Sequence, residues 1–469
     1  MTALTRIWER APVPTAIAAT YVMILICSGP NLFDPMIRHD DFPALLGDET
    51  LYYEKTLLEG RWLNYLWHLR GFVTPSWLNF LVYQLFWAIF AACTAIAVFG
   101  RSAPLGRVLA LSFLIVLAPT AFVISLWYNT LIPGLGIVAL FAYLATRHPP
   151  RVMRLLFPVF VPLTLLCYTT YPVLLLMVVL GARDNERSLK DLAVTMGIFI
   201  ASFAAGMLLI YSLNYAYHGV FGVPMADWRN PNPIHDLAGL WHNLGMVMTM
   251  FSRLANVLSF KHLPLLVIMA SLVAIASVIV WRTAPRFGLY VGTGCAAGLG
   301  LLSLHVLKTG VDVDPRAAIF VSVGCAMILS MAMATGIDQG VVSNRRARNA
   351  IFIAIALHAV LIAVNYSLPR AWQADTRAFA AAVGPGTGPI YVTGDYEQLP
   401  SSHGAAIQQS RGLRLRLVYL TGRDVIICED KPEACANLPQ SAPGQSQLVL
   451  QIAEGTVLAL PTRLAANGD

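Results

Sequence analysis

Charged residues are scarce in this chain of 469 residues. They make up 12 % of it, against about a quarter in soluble domains, while apolar residues make up 57 %. This balance excludes an ordinary soluble domain and is typical of an integral membrane protein. The apolar runs, roughly 18 to 25 residues long, also lack the period-two alternation of a transmembrane barrel. We therefore predict an all-α polytopic membrane protein whose surroundings are membrane lipid and not nucleic acid.

Asp and Glu are missing from the interiors of the apolar runs. Ion-coupled transporters usually keep ionisable side chains at membrane depth, so this absence disfavours that class, as does the lack of an inverted repeat. The first apolar run ends in "CSGPNLFDP" and more spans follow, which disfavours a cleaved signal peptide and favours a retained helix.

The apolar runs predict about eleven transmembrane helices, each of a length that suits a hydrocarbon layer of ~30 Å. Lys and Arg in short loops mark the cytoplasmic side of a membrane, and the chain carries six such basic groups between its spans. The predicted spans are 13–33, 72–100, 105–126, 130–146, 155–167, 170–182, 191–213, 263–281, 287–307, 316–336 and 349–368.

The basic groups fix the orientation of these spans. They begin with Arg6 and Arg10, and all six face the cytoplasm only if residues 155–182 leave and return as two short helices meeting at "CYTTYP". Pro172 suits the first turn of the second helix, where its missing N–H costs little. The N-terminus is then cytoplasmic, and everything beyond residue 368 lies outside.

Three outer parts are large enough to carry function: the loops 34–71 and 214–262 of a transmembrane domain 1–368, and a tail 369–469. Within the second loop, "LWHNLGMVMTMFSRLANVLSF" is interpreted as an interfacial or re-entrant helix, because counting it as a span would turn later basic groups outward.

The tail is predicted to be a small extracytoplasmic α/β domain that serves as a docking or lid domain. Its predicted strands are "PIYVTGD", "RLRLVYL", "DVIICED" and "QLVLQIAEG", separated by turn-rich stretches such as "SAPGQSQ". Cys428 and Cys435 in "CEDKPEAC" are spaced to form a disulfide in an oxidising compartment. The tail contains no P-loop, dinucleotide fingerprint or metal-ligand spacing.

Acidic residues concentrate in the first outer loop, and most have a simple explanation. "DETLYYEKTLLEGRWLNYLWHL" predicts one helix on the membrane surface with its acids facing water. The adjacent Asp40 and Asp41 lie before that helix, where we expect mutual repulsion to raise the pKa of at least one carboxyl, as suits a general base. The alternative is a solvated loop. The acids are Asp34, Asp40, Asp41, Asp48, Glu49, Glu54 and Glu59.

The order of features in the N-terminal part of the chain resembles the GT-C class of membrane glycosyltransferases. These features are a first span, an outer loop with a double acid, a surface helix, "GR" and an aromatic-rich second span. The chain is most similar to the glucosyltransferase (Gtr) family that modifies O-antigen. The matching positions are Asp40, Asp41, Gly60 and Arg61, and "CYTTYP" resembles a tyrosine-containing tip in that family. The resemblance covers roughly residues 13–370 in architecture and leaves the tail outside.

The resemblance implies a GT-C-like fold in a bacterial inner membrane, with a periplasmic tail. It also implies a polyprenyl-phosphate sugar donor and a glycan or lipid-linked acceptor of the cell envelope, such as lipopolysaccharide. Transfer would be one inverting displacement, with Asp41 as general base and Asp40 as its partner, or as a ligand if a divalent metal (Mg or Mn) takes part.

Cations of the outer loops are then candidates for the donor phosphate. Arg61 leads, because a guanidinium grips phosphate oxygens with two hydrogen bonds. Lys308, Arg316 and His305 follow, although the first two also fit snorkelling anchors at helix ends, and Arg253 and Lys261 are weaker candidates. Candidates for a sugar or acceptor site, or else ordinary belt aromatics, are Tyr168, Tyr171, Trp127, Tyr128 and His39.

Other functions stay open at this stage. A flippase or transporter of a lipid-linked sugar predicts cations along a path at membrane depth. An O-antigen polymerase or ligase predicts a large catalytic loop later in the chain. A non-enzymatic assembly protein predicts that the tail is the working part.

Overall fold

The computed structural model of the chain describes residues 8–9, 11–47, 49–68, 72–183, 187–438 and 448–460. Arg6, Arg10, Asp48 and the predicted turn "SAPGQSQ" lie outside the described residues. The chain divides into two compact units. Unit 1 comprises residues 1–27, 49–71 and 79–362, and unit 2 comprises residues 28–48, 72–78 and 363–469.

Most of the described chain is helical. The helices are, in chain order, α1 (Pro12–Ser28), α2 (Pro43–Leu46), α3 (Glu49–Glu59), α4 (Trp62–His68), α5 (Ser76–Phe99), α6 (Leu105–Val116), α7 (Pro119–Ser125), α8 (Tyr128–Ala145), α9 (Pro150–Met153), α10 (Phe157–Leu165), α11 (Tyr171–Gly181), α12 (Leu189–His218), α13 (Leu237–Leu258), α14 (Leu263–Thr283), α15 (Pro285–Thr309), α16 (Ile319–Asp338), α17 (Asn344–Ser367), α18 (Arg370–Val383), α19 (Pro400–Gly404) and α20 (Ser410–Thr421).

Eight helices among the described residues are long and apolar enough to cross a membrane. The number becomes nine if the bent pair α6 and α7 counts as one span. The chain is therefore a multi-pass membrane protein, as its composition predicts. The predicted number of about eleven is not confirmed, because α10 and α11 fall short of the roughly 20 residues that a straight crossing needs.

Two predicted spans have a finer structure than the apolar pattern indicates. The span 105–126 is interrupted at Leu117 and Ala118, and its halves differ in direction by 51°. Pro119 explains the break, because it lacks the N–H that would continue the helix. The two short helices predicted around "CYTTYP" are present as α10 and α11, and Pro172 lies in the first turn of α11.

The single surface helix predicted after Asp48 is wrong. It divides into α3 and α4 at Gly60, whose φ of +69° belongs to the left-handed region. A Cβ at this position would lie 2.8 Å from Cγ2 of Ile210. Burial in this stretch also differs from that of one amphipathic surface helix, because the polar Thr56 is fully buried while the apolar Leu66 is 58 % exposed.

Helix α13 occupies the apolar stretch of the second outer loop and is not among the eight candidate spans. Asn243 on this helix is buried and donates hydrogen bonds to the carbonyls of Asn232 and Leu307, both at 2.9 Å. These bonds tie α13 to the C-terminal end of α15.

Unit 2 contains a four-stranded sheet in the order β2, β1, β4, β3, formed by β1 (Ile390–Thr393), β2 (Val425–Ile427), β3 (Leu448–Ile452) and β4 (Gly455–Ala459). The β1 strand pairs in parallel with β2 and β4, whereas β3 and β4 are antiparallel. All five residues of β4 are buried. Three of the four strand predictions are confirmed.

The predicted strand "RLRLVYL" is wrong, since it forms the second half of α20. The buried positions of this helix are Leu413, Leu415, Arg416 and Leu417, and the last two follow Leu413 at the helical spacings of three and four. Gly422 then ends the helix in the left-handed conformation. The sequence prediction also missed β4.

Candidate functional site

The acidic pair lies in unit 2, in a single 3-10 turn over His39–Asp41. Asp41 is fully buried, whereas the Asp40 side chain is 34 % exposed, and its Oδ1 lies 3.5 Å from Nε2 of His39. Pro43 begins α2 directly afterwards. The turn packs on α20, where the rings of Phe42 and Tyr419 have centroids 6.1 Å apart.

Several long-range contacts within unit 2 hold the segment that precedes the pair. Arg416 donates to both carboxylate oxygens of Asp34, and its Nη1–Oδ1 distance is 2.8 Å. Arg38 donates to the carbonyls of Ala405 and Ala406. The Asp40 and Asp41 backbone is therefore fixed by the tail and not only by its own loop.

Arg61 lies in unit 1, and the residues after it anchor it to the α10–α11 hairpin. The Leu63 amide donates to the carbonyl of Leu166, and Asn64 Nδ2 donates to the carbonyl of Cys167, both at 3.0 Å. These bonds bring the Arg61 guanidinium over the ring of Tyr168, 5.2 Å from its centroid. The sequence predicted each of the two residues, and the structure brings them together.

Glu59 joins Arg61 to a second arginine that sequence reasoning missed. Its Oε2 lies 2.8 Å from Arg61 Nε, and its Oε1 lies 3.1 Å from Arg229 Nη2. The Glu59 side chain is only 14 % exposed. Its predicted role on the wet face of a surface helix is therefore wrong. No sequence spacing links Glu59 to Arg229, because 170 positions separate them.

Arg316 lies in a 3-10 turn over Pro315–Ala318. Asp314 Oδ1 accepts a hydrogen bond from the Arg316 amide at 2.9 Å, and the guanidinium stacks over the Trp127 ring, 3.6 Å from its centroid. The Nη1 atom of Arg316 is buried and has no hydrogen-bond partner among the described residues. A buried guanidinium nitrogen of this kind favours an anion or a carbonyl oxygen as partner.

The positive charges of Arg316 and Arg61 both influence the hydroxyl of Tyr168. Burial raises the pKa of its hydroxyl, and the charges of Arg316 and Arg61 oppose that rise. The hydroxyl is therefore protonated at neutral pH and able to donate. Its ring packs on Tyr171, with the centroids 5.1 Å apart.

Two further cations, Arg229 and Lys308, together with the imidazole of His305 complete a group that we call the cationic cluster. The charges of Arg229 and Lys308 both act on His305, and Lys308 is exposed. Sequence reasoning predicted every member except Arg229, and two carboxylates, Glu59 and Asp314, accompany them. The cationic cluster consists of Arg61, Arg229, His305, Lys308 and Arg316.

The remaining candidates are not members of the cationic cluster. Tyr128 is fully buried and meets Phe80 edge to face, with the centroids 5.3 Å apart. Arg253 forms an ion pair with Asp312. Lys261 adopts a positive φ of 64° at the end of α13. Tyr171 is 1 % exposed.

The apolar helix α17 contains a buried histidine. His358 lies in α17, is 5 % exposed, and neither ring nitrogen has a hydrogen-bond partner in the described chain. It lines an apolar cavity of about 110 Å³. The observation that the spans hold no Asp or Glu therefore does not extend to histidine.

In the part of the chain that the structure describes, no three His, Cys, Asp or Glu side chains are grouped as metal ligands. The possible Mg or Mn stays a sequence prediction. In the tail, Cys428 and Cys435 form a disulfide.

Comparison of the chain with protein-family models, with curated proteins and with solved structures finds no match.

Proposed function

We propose that this protein transfers a sugar from a polyprenyl-phosphate donor to a glycan or lipid-linked acceptor. The observation that carries the proposal is the cationic cluster, in which the positive charges of Arg61 and Arg316 both influence the hydroxyl of Tyr168. Guanidinium groups suit phosphate oxygens, and a protonated tyrosine beside them suits a sugar or phosphate oxygen. A lipid phosphate is the anion that a multi-pass membrane protein meets at its helix ends.

The proposed reaction is a single inverting displacement. The acceptor hydroxyl forms a new bond to the anomeric carbon of the sugar while the bond from that carbon to the phosphate oxygen breaks. The hydroxyl proton passes to a carboxylate, and the leaving lipid phosphate keeps the bonding electrons. Arg61 and Arg316 stabilise the negative charge that develops on this phosphate.

The base is proposed to be one carboxylate of the acidic pair Asp40 and Asp41, as the resemblance to the GT-C class implies. Sequence reasoning favoured Asp41, with Asp40 as its partner. Burial now favours Asp40 as the carboxylate that meets a substrate hydroxyl, because a general base must reach the proton that it removes. Asp41, fully buried beside it, then acts as the positioning partner.

The proposed setting is the outer face of a bacterial inner membrane, with the N-terminus in the cytoplasm and the tail in the periplasm. The positions of Lys and Arg between the spans support this orientation. The cationic cluster and the acidic pair then both belong to outer segments of the chain.

The test uses the purified full chain, a radiolabelled polyprenyl-phosphate sugar and an acceptor glycan extract. We expect transfer of label, and a loss of about 10²-fold or more in Arg61→Ala and Arg316→Ala. Lys190→Ala removes an exposed cation outside the cationic cluster and should transfer normally. Transfer that survives loss of both arginines overturns the assignment of the phosphate site.

The same assay separates the two carboxylates. Asp40→Asn should abolish transfer if Asp40 is the base, and Asp41→Asn should then keep a residual rate. The opposite order would return the base to Asp41. Thermal unfolding of each variant shows whether the fold is intact. Movement of labelled lipid across liposomes without any transfer would favour the flippase instead.

A further inference from the structure

A second site of positive charge lies in unit 1 and shares no residue with the cationic cluster. A cavity of about 380 Å³ opens where α1 begins and where α5 and α8 end. Residues of α1 from Pro12 to Ile17 line one wall, and Arg101, Tyr143 and Arg147 line the other. Helix ends of a multi-pass protein lie at the membrane surface, so this cavity faces the headgroup layer.

Both arginines of the cavity are held by their own neighbours. Arg101 Nε donates to the carbonyl of Thr146 at 2.9 Å. The Arg147 guanidinium lies over the Tyr143 ring, 4.7 Å from its centroid, and donates to the Tyr143 hydroxyl. Each contact leaves further guanidinium N–H groups of the same side chain for a ligand, because a guanidinium carries five donors.

The charge of the cavity is not balanced within the described chain. Neither Arg101 nor Arg147 forms an ion pair with a described residue, and the lining contains no Asp or Glu. The ordinary explanation is that arginines at helix ends set the orientation of spans. That explanation accounts for charge, but it does not require two arginines to share one cavity.

We propose that this cavity binds the phosphate group of an anionic phospholipid. Two guanidinium groups match the oxygens of a phosphodiester. Val13 and Ile17 lie four residues apart on α1 and therefore on one helix face, so they supply an apolar wall for the start of an acyl chain. A soluble phosphate ester has the same phosphate chemistry but gains nothing from that wall. The proposal does not depend on the proposed sugar transfer.

Native mass spectrometry of the detergent-purified full chain tests the proposal. The chain is titrated with phosphatidylglycerol, with zwitterionic phosphatidylethanolamine and with glycerol 3-phosphate. We expect phosphatidylglycerol to bind most tightly, and Arg101→Ala/Arg147→Ala to weaken its binding about tenfold, which corresponds to ~1.4 kcal/mol. Arg282→Ala/Arg286→Ala removes two arginines between other spans and should leave binding unchanged.

A milder variant keeps the test informative if the double variant does not fold. Arg147→Lys retains the charge but loses the planar, two-armed contact and the stacking on Tyr143, so it should also weaken binding. Equal losses in the cavity variant and in the Arg282 and Arg286 control would show a diffuse charge effect and overturn the site. Equal affinity for glycerol 3-phosphate would overturn the lipid as the ligand.

Discussion

Asp34 and Arg416 form a two-armed ion pair across 382 positions of the chain. The Arg416 side chain is 4 % exposed and that of Asp34 is 20 % exposed. Arg377 adds a second guanidinium to the same carboxylate, with Nε 3.6 Å from Oδ2. A first-loop residue is thus held by the tail inside unit 2.

Removing one partner of this pair should destabilise unit 2 strongly. Asp34→Asn leaves a buried guanidinium without its counter-charge, and such changes cost about 3–5 kcal/mol. We expect faster proteolysis of the tail and a lower unfolding temperature. Arg414→Ala, an exposed arginine on the same helix, is the control and should unfold like the native chain. Equal stability of Asp34→Asn would show that the pair contributes no net free energy.

Gly60→Ala should disturb the position of Arg61. A positive φ and the approach of Ile210 both oppose a Cβ at this position, and we expect a loss of about 1–3 kcal/mol together with reduced transfer. Differential scanning fluorimetry and the transfer assay measure the two effects. The double variant Gly60→Ala/Ile210→Ala relieves the contact and leaves the backbone conformation strained. If the double variant recovered the full stability and transfer of the native chain, the positive φ would contribute nothing to the loss in Gly60→Ala.

Glu59→Gln should strengthen the binding of a prenyl phosphate. The single negative charge of Glu59 is shared between Arg61 and Arg229, so replacing it by a neutral amide increases the net positive charge that an incoming phosphate meets. We expect about tenfold tighter binding of farnesyl phosphate, equivalent to ~1.4 kcal/mol, by isothermal titration calorimetry. Glu54→Gln changes an exposed acid on the same helix and should bind like the native chain. Weaker binding in Glu59→Gln would instead make Glu59 an organiser of the two arginines.

His358→Leu should stabilise the protein. The buried imidazole has no hydrogen-bond partner among the described residues, and replacing an unsatisfied polar group by an apolar one of similar size removes a desolvation cost of about 1–3 kcal/mol. The unfolding temperature in detergent is the measurement. His358→Gln keeps a polar group at the same position and should show no such gain. A destabilised leucine variant would show that the imidazole has a bound partner in the membrane.

The helical architecture follows from the sequence because its signals are local. The length of an apolar run alone indicates whether it can span a bilayer, and Pro172 favours the start of a helix because its ring fixes φ. The cations near Tyr168 were predicted individually from the outer loops. Their grouping was not predictable, because it depends on contacts such as that between Glu59 and Arg229.

The errors have physical causes of the same kind. The predicted surface helix runs through Gly60, and only the neighbouring Ile210 and the left-handed backbone show that the helix ends there. The stretch "RLRLVYL" predicts a strand, but it forms a helix whose buried face includes Arg416, and the counter-charge of Arg416 is Asp34 in the first loop. A window of neighbouring residues contains neither piece of information.

Unit 2 is built from parts of the chain that are translated at different times, because it combines residues 28–48 and 72–78 with residues 363–469. Translation proceeds at about 5–20 residues per second, so roughly 20 to 75 s pass between the appearance of Asp34 and that of Arg416. During this time the first loop is already made and lacks its counter-ion, while the helices of unit 1 are still emerging. A ribosome that stops before residue 416 therefore leaves an N-terminal loop that unit 2 cannot stabilise. The acidic pair acquires its final surroundings only when the tail has been made.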